Sequence, residues 1–233
     1  MEELMTATFW LAVGQIIMID ILLGGDNAVV IALACRNLPP KQRAQGIIYG
    51  TIGAIVLRVI LIAFALALLS VPYLKLVGAV LLLWIGVKLL LPEGDDDHNI
   101  SSSDKLWSAV KTVIVADLVM SVDNVLAIAG AAQGAGESHQ LPLVIFGLLV
   151  SIPIIVWGST FVLRLMERFP FVITLGAMLL GWIAGQMAYT DPAIKAYLPA
   201  SAIWSYGAAL AGALLVLVMG KLLQNRPKPI DPA

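Results

Sequence analysis

The chain has 233 residues, of which 60% are hydrophobic and only 12% are charged, and its net charge is −1. Soluble domains usually carry about 25% charged residues, so this composition excludes an ordinary soluble protein and predicts a protein embedded in the lipid bilayer. The single cysteine, Cys35, excludes an internal disulfide and a cysteine-cluster metal site.

Seven apolar stretches follow one another along the chain, each of about 20 residues or more, which is enough to cross a hydrocarbon core about 30 Å thick. Their apolar residues are continuous and do not alternate with polar ones, so they predict helices and not the strands of a barrel. We expect an all-α polytopic membrane protein with seven transmembrane helices, at 8–35, 45–70, 73–91, 107–133, 141–166, 170–189 and 203–223.

The basic residues predict the orientation of these helices. Eleven of the fourteen Lys and Arg residues fall at one set of helix ends, the opposite set carries only Lys75 and Lys195, and Arg58 lies within the second span. By the positive-inside rule, the richly basic side is cytoplasmic. We therefore expect a multi-pass protein of the cytoplasmic (inner) membrane, with its N-terminus outside and its C-terminus in the cytoplasm. No nucleic-acid partner is expected.

An Asp-x5-Asp-Asn motif occurs twice inside apolar spans, and its two copies are separated by 97 residues. The copies consist of Asp20, Asp26, Asn27 and of Asp117, Asp123, Asn124. A further match, Trp84-Ile85 with Trp182-Ile183, has an offset of 98. The matching Asp and Asn residues together with the matching Trp-Ile pairs indicate an internal duplication. Three spans per copy is an odd number, so the second copy is inverted, an architecture typical of secondary transporters with a site near the midplane.

The duplication divides the chain into four parts. We expect a first three-helix repeat at 1–91, a cytoplasmic acidic linker at 92–106 and the second, inverted repeat at 107–191. The seventh helix and a cytoplasmic tail follow at 192–233. The linker contains Asp95, Asp96, Asp97 and His98 and is interpreted as a solvated loop, with a weak metal-collecting loop as the alternative. For the seventh helix we expect only packing or a homo-oligomer contact.

The four motif carboxylates are costly in a membrane. Each ionised carboxylate at the bilayer centre costs about 2.5–3.5 kcal/mol on insertion scales. No Lys or Arg recurs with the motif, so we expect the carboxylates to be protonated, or partnered by something absent from the sequence, such as a bound cation. The alternative is that the Asp and Asn residues are protonated, hydrogen-bonded contacts between helices.

Helix geometry separates the residues within each motif. Residues seven apart lie almost on one helix face, whereas residues six apart diverge by about 120°. Asp20 and Asn27 therefore align, and Asp26 needs a local unwinding or bulge, which Gly24 and Gly25 permit. In the second copy Ser121 stands at this place, so a matching break is less assured.

The ligand chemistry of the motifs favours a hard divalent cation. Carboxylate, amide and backbone oxygens suit Mg²⁺, Ca²⁺ or Mn²⁺, whereas both histidines, His98 and His139, fall in loops. Ligand type alone does not separate the three ions. We expect no resident cofactor and, since the sequence has no phosphate loop, zinc-protease motif or catalytic triad, no enzyme activity.

At these motifs the sequence resembles the TerC family of integral membrane proteins, and within it the YjbE-type branch. The resemblance extends from the first span through the sixth and rests on Gly24-Gly25-Asp26-Asn27 and Ser121-Val122-Asp123-Asn124. It implies Mn²⁺ export, a distant kinship with LysE-type exporters, and metal-site roles for the six motif residues. From the chemistry of buried carboxylates we add metal–proton antiport. The alternatives are a membrane-embedded assembly or metal-loading factor for exported proteins, and a LysE-like amino-acid exporter.

Overall fold

The computed structural model describes residues 7–64, 71–91, 101–132, 140–195, 197–199 and 201–224, and these residues form helices joined by short turns, with no strand among them. Seven long helices and one single turn make up this part of the chain. They are α1 (Ala7–Cys35), α2 (Pro40–Ala63), α3 (Leu74–Leu90), α4 (Ser102–Ala132), α5 (Gln140–Arg168), α6 (Phe171–Thr190), α7 (Pro192–Lys195, the single turn) and α8 (Ala202–Gln224).

The helices are those of a multi-pass membrane protein. Among the described residues, α2, α5, α6 and α8 are each long and apolar enough to cross a bilayer. Their outer surfaces carry large apolar side chains that are exposed in the isolated chain, such as Trp157 (71%) and Ile203 (81%). This exposure is expected where lipid covers the protein. Helix α3 has 17 residues, and that all seven long helices cross the membrane stays a prediction.

Two helices begin earlier than their apolar residues predict. Helix α2 starts at Pro40, because proline suits the first turn of a helix, where its missing N–H would have no partner. Helix α4 starts at Ser102, since the Ser101 hydroxyl accepts a hydrogen bond from the N–H of Asp104 and donates one to its carboxylate. Residues 102–106 are therefore helix, although the sequence assigned them to the linker.

The helices of the two predicted repeats, α1–α3 and α4–α6, pack in a reciprocal way. Helix α1 packs on α5 just as α2 packs on α4, while α1 contacts α4 and α3 contacts α6. The matched glycines follow the same rule: Gly78 of α3 lies against Val119 of α4, and Gly176 of α6 lies against Val29 of α1. Two repeats related by a two-fold axis would pack in this way, and the duplication itself stays a prediction.

Helix α8, which lies outside the predicted repeats, packs closely on α6. A Cβ atom on Gly181 would clash with the backbone of Gly212, and one on Gly185 would clash with the backbone of Ala208. Small residues on both helices bring the two backbones together, as in many membrane helix pairs. The packing role expected for the seventh helix is thus seen inside the chain.

Candidate metal site

Helix α1 carries the first motif without the break that the sequence predicted. It is α-helical without interruption from Ala7 to Cys35, including Gly24 and Gly25. The predicted unwinding is wrong because an apolar environment offers no other partner for freed backbone groups, and this outweighs the cost of about 1 kcal/mol per glycine.

Asp26 and Asn27 nevertheless both reach the interior side of the helix bundle. The Asp26 Oδ1 atom accepts a hydrogen bond of 2.8 Å from the backbone N–H of Asn27, which holds the carboxylate beside the amide. Asn27 is only 4% exposed, and Asp26 is partly buried. The side chain of Asp26 therefore turns toward Asn27 without any change in the helix.

Helix α4 places the second motif at its centre. Asp117 lies 15 residues from each end of this 31-residue helix, or about 22 Å along the axis, and is 5% exposed. This helix is also unbroken. Ser121, expected to act through its backbone, instead acts through its hydroxyl, which donates a hydrogen bond of 3.0 Å to Asp117 Oδ2.

Arg58 of α2 is the partner that sequence reasoning missed. Its Nη2 atom lies 2.5 Å from Asp117 Oδ1, its Nε donates to the Ser121 hydroxyl at 3.1 Å, and the side chain is 2% exposed. The expectation that no cation of the protein neutralises the motif carboxylates is therefore wrong for Asp117. A signal existed: Arg58 is the one basic residue near the middle of a predicted span, and ionisable groups inside a membrane usually pair.

The two motifs approach one another across a small cavity. It is lined by Asn27, Val30 and Ile31 of α1, Ala54 of α2, and Val113 and Asp117 of α4, and its volume of about 10 Å³ leaves room for one water-sized sphere. Asp26, the residue before Asn27, is partly buried next to this cavity lining. The side chains of α1 and α4 thus converge, as the predicted repeat requires.

Asn27 lines this cavity with a buried side-chain amide. Neither its Nδ2 nor its Oδ1 atom has a hydrogen-bond partner among the described residues, although both are buried. Asp191, another buried side chain, shows what a structural contact looks like here: its carboxylate accepts hydrogen bonds from the N–H groups of Tyr73, Leu76 and Ala193. Unlike Asp191, the amide of Asn27 has no such partner in the described part of the chain.

Thr51 of α2 is a second buried polar residue that the sequence analysis missed. It is 1% exposed, and its hydroxyl has no partner in the described part of the chain. It lies seven residues before Arg58, so both side chains occupy nearly the same face of α2. Thr51 does not line the cavity.

Several predicted site residues have side chains outside the described residues. They are Asp20, Asp123 and Asn124, whose backbones lie within α1 and α4. The acidic linker residues Asp95, Asp96, Asp97 and His98 also lie outside the described part. Within that part, no group of three or more His, Cys, Asp or Glu side chains is close enough to hold a metal ion. Of the six predicted residues, Asn27 and Asp117 line one cavity, and Asp26 lies beside Asn27.

Fold and site together define a polytopic helical membrane protein with polar groups buried at the centre of its bundle. Residues 5–228 match the family described as "Integral membrane protein TerC family", and the chain belongs to that family.

Similar proteins carry names that specify a membrane location. "Uncharacterized membrane protein YjbE" of Bacillus subtilis (strain 168) is 44% identical over 183 residues, which cover 78% of this chain and 81% of that protein. "Uncharacterized membrane protein YceF" of the same organism is 27% identical over 196 residues (80% and 74%). "UPF0053 inner membrane protein YgdQ" of Escherichia coli (strain K12) is 23% identical over 180 residues (70% and 73%). No solved structure matches the chain.

Proposed function

We propose that this chain exports Mn²⁺ from the cytoplasm by alternating access, with its N-terminus outside the cytoplasmic membrane. The observation that carries the proposal is the unsatisfied amide of Asn27, buried beside Asp117 in a cavity near the centre of α4. A buried amide without partners costs about 1–3 kcal/mol, and a cargo ion that binds its oxygen would offset this cost.

The size and the donors of the cavity support a small hard cation as the cargo. Sites for organic ligands usually measure about 300–1,000 Å³. The cavity here has about 10 Å³, so it suits a dehydrated ion and argues against the LysE-like export of an amino acid. Oxygen donors favour Mg²⁺, Ca²⁺ and Mn²⁺. The choice of Mn²⁺ among these follows the resemblance to the TerC family.

A charge count supports coupling to protons. The two motifs contain four Asp residues, and Arg58 supplies one positive charge, so the group carries −3 when every carboxylate is ionised. A divalent cation reduces this to −1, which a single proton neutralises. Export of the cation in exchange for protons would then alternate two states of similar charge. The reciprocal packing of α1–α3 and α4–α6 supports the movement of one repeat against the other.

The first test is flux through the purified protein in proteoliposomes with Mn²⁺, Mg²⁺, Ca²⁺ or Zn²⁺ inside. We expect saturable Mn²⁺ flux accompanied by a pH change. Asp26→Asn should lower the flux about 100-fold, since even indirect metal contacts are worth about 10–100-fold. The matched control is Asp104→Asn, which removes an exposed carboxylate at the start of α4 and should leave the flux intact.

Each alternative predicts a different outcome. Wild-type flux in Asp26→Asn would contradict the site, and flux without a pH change would contradict proton coupling. A protein that binds Mn²⁺, gives no flux and copurifies with the translocation machinery is instead an assembly or metal-loading factor. Efflux of an amino acid, measured in parallel, would identify a LysE-like exporter.

A further inference from the structure

We infer that Arg58 and the exported cation occupy Asp117 in turn, so that Arg58 serves as a tethered counter-ion of the empty carrier. The inference rests on the proposed function and adds a residue outside the two motifs. It makes Arg58 a positioning residue that sets the affinity for the cation and permits the return of the empty protein.

The geometry shows that both oxygens of Asp117 already have a partner. One of its oxygens, Oδ1, lies 2.5 Å from the guanidinium of Arg58, and the other, Oδ2, accepts the Ser121 hydroxyl at 3.0 Å. Ser121 in turn accepts from Arg58 Nε at 3.1 Å, so the three side chains form a closed ring. A divalent cation that binds Asp117 meets this guanidinium at close range, and at such distances in a low-dielectric interior like charges repel strongly.

The cavity lies where the two charges would compete. Asp117 lines it together with Asn27, whose amide oxygen has no partner in the described residues. A cation in the cavity would therefore bind Asn27 and Asp117 at once, on a carboxylate that Arg58 already neutralises. Because the charge of Arg58 is carried on a long aliphatic stem, the guanidinium can move away while its helix stays in place.

The matching position in the other repeat indicates that the fold does not require this cation. Adding the motif offset of 97 to Arg58 leads to Ile155 of α5, which is 7% exposed and belongs to the apolar core. Subtracting 97 from Ser121 leads to Gly24. The ring around Asp117, which joins Arg58 of the first repeat to the second repeat, therefore has no counterpart in sequence around the first motif, whereas the packing of the helices is shared by both repeats.

The test measures the Mn²⁺ affinity of the full-length protein in lipid nanodiscs and its turnover in proteoliposomes. Arg58→Gln should bind Mn²⁺ about tenfold more tightly, because the competing charge is gone. Its turnover should fall about tenfold, because the ion is released more slowly. Arg58→Lys keeps the charge and should stay near the wild-type affinity. Lys88→Gln, which removes an exposed charge on α3, is the matched control and should change neither quantity.

A second variant tests the same idea without the removal of a buried charge. Ser121→Ala opens the ring and should tighten Mn²⁺ binding about threefold, in line with the loss of hydrogen bonds that hold Arg58 on Asp117. Unchanged or weaker binding in a folded Arg58→Gln protein would overturn the inference, and if that variant does not fold, the same result in Ser121→Ala would do so. Wild-type protein that binds no Mn²⁺ would overturn the proposed function itself.

Discussion

The two repeat units, α1–α3 and α4–α6, are alike in their packing and unlike in their polar contacts. In the second unit, each oxygen of Asp117 has a partner: Ser121 of the same helix and Arg58 of α2, which belongs to the first unit. In the first, Asn27 is buried with no partner in the described residues. The difference shows that packing and charge are independent in this molecule: both units pack alike, but the counter-ion runs one way, from Arg58 of the first unit to Asp117 of the second, while the matching position in the second unit is the apolar Ile155.

The largest expected effect on stability comes from removing the Asp117 carboxylate, which pairs with Arg58. Asp117→Ala withdraws a carboxylate from a guanidinium that is 2% exposed, and the loss of one partner of a buried pair costs about 3–5 kcal/mol. Asp26→Ala, on the partly buried side, should cost less than about 1 kcal/mol. Thermal unfolding of both purified proteins in detergent measures the difference.

A double variant controls for the loss of packing at this pair. Arg58→Met with Asp117→Leu replaces both charges by apolar groups of similar size, which is often neutral or stabilising. We expect it to recover most of the stability that Asp117→Ala loses. Equal losses in Asp117→Ala and Asp26→Ala would show that the two units do not differ in this way.

A smaller effect on stability tests whether the helices of the two repeat units pack alike. A Cβ atom on Gly78 would lie 2.7 Å from Val119 Cγ1, and one on Gly176 would lie 2.9 Å from Val29 Cγ1. Gly78→Ala and Gly176→Ala should therefore destabilise the protein by similar amounts, about 1–3 kcal/mol each. The control is Gly207→Ala, whose Cβ would meet nothing within 4 Å and which should gain about 0.5–1 kcal/mol. A loss in only one of the two matched variants would break the comparison.

The sequence predicted the helices well, because a continuous apolar run in lipid has a single way to satisfy its backbone. The spans at 73–91 and 170–189 agree within one residue with α3 and α6. The starts of α2 and α4 were missed by five residues each, since proline and a serine cap extend these helices beyond their apolar part. Composition marks the apolar core of a helix, whereas its ends depend on local capping.

The candidate site was predicted only in part. The spacing of the motifs placed carboxylates on α1 and α4, and the structure brings Asn27 of the first motif and Asp117 of the second to one cavity. The pairing with Arg58 was missed, because its partner is 59 residues away on another helix and no local pattern links the two. The break at Gly24 and Gly25 was overestimated, since propensity was weighed without the surroundings that keep the helix hydrogen-bonded.

The smallest expected effect on stability comes from removing the unpartnered amide of Asn27 from the first unit. This change should stabilise the protein, whereas Asp117→Ala should destabilise it. Asn27→Leu replaces an unpartnered amide by an apolar side chain of similar shape beside the cavity, so it should raise the unfolding free energy by about 1 kcal/mol. It should also abolish Mn²⁺ flux, because the ligand is gone. Thermal unfolding and proteoliposome flux measure the two quantities on the same preparation.

Thr51→Val is the matched control for this variant. It too removes a buried group without a partner in the described residues, but Thr51 lies outside the cavity lining, so stability should rise while flux persists. A stability loss in Asn27→Leu would mean that the amide holds helices together and is no ligand. A gain in stability together with lost flux would identify Asn27 as a residue kept at a cost to the fold, which is what a binding site requires of its ligands.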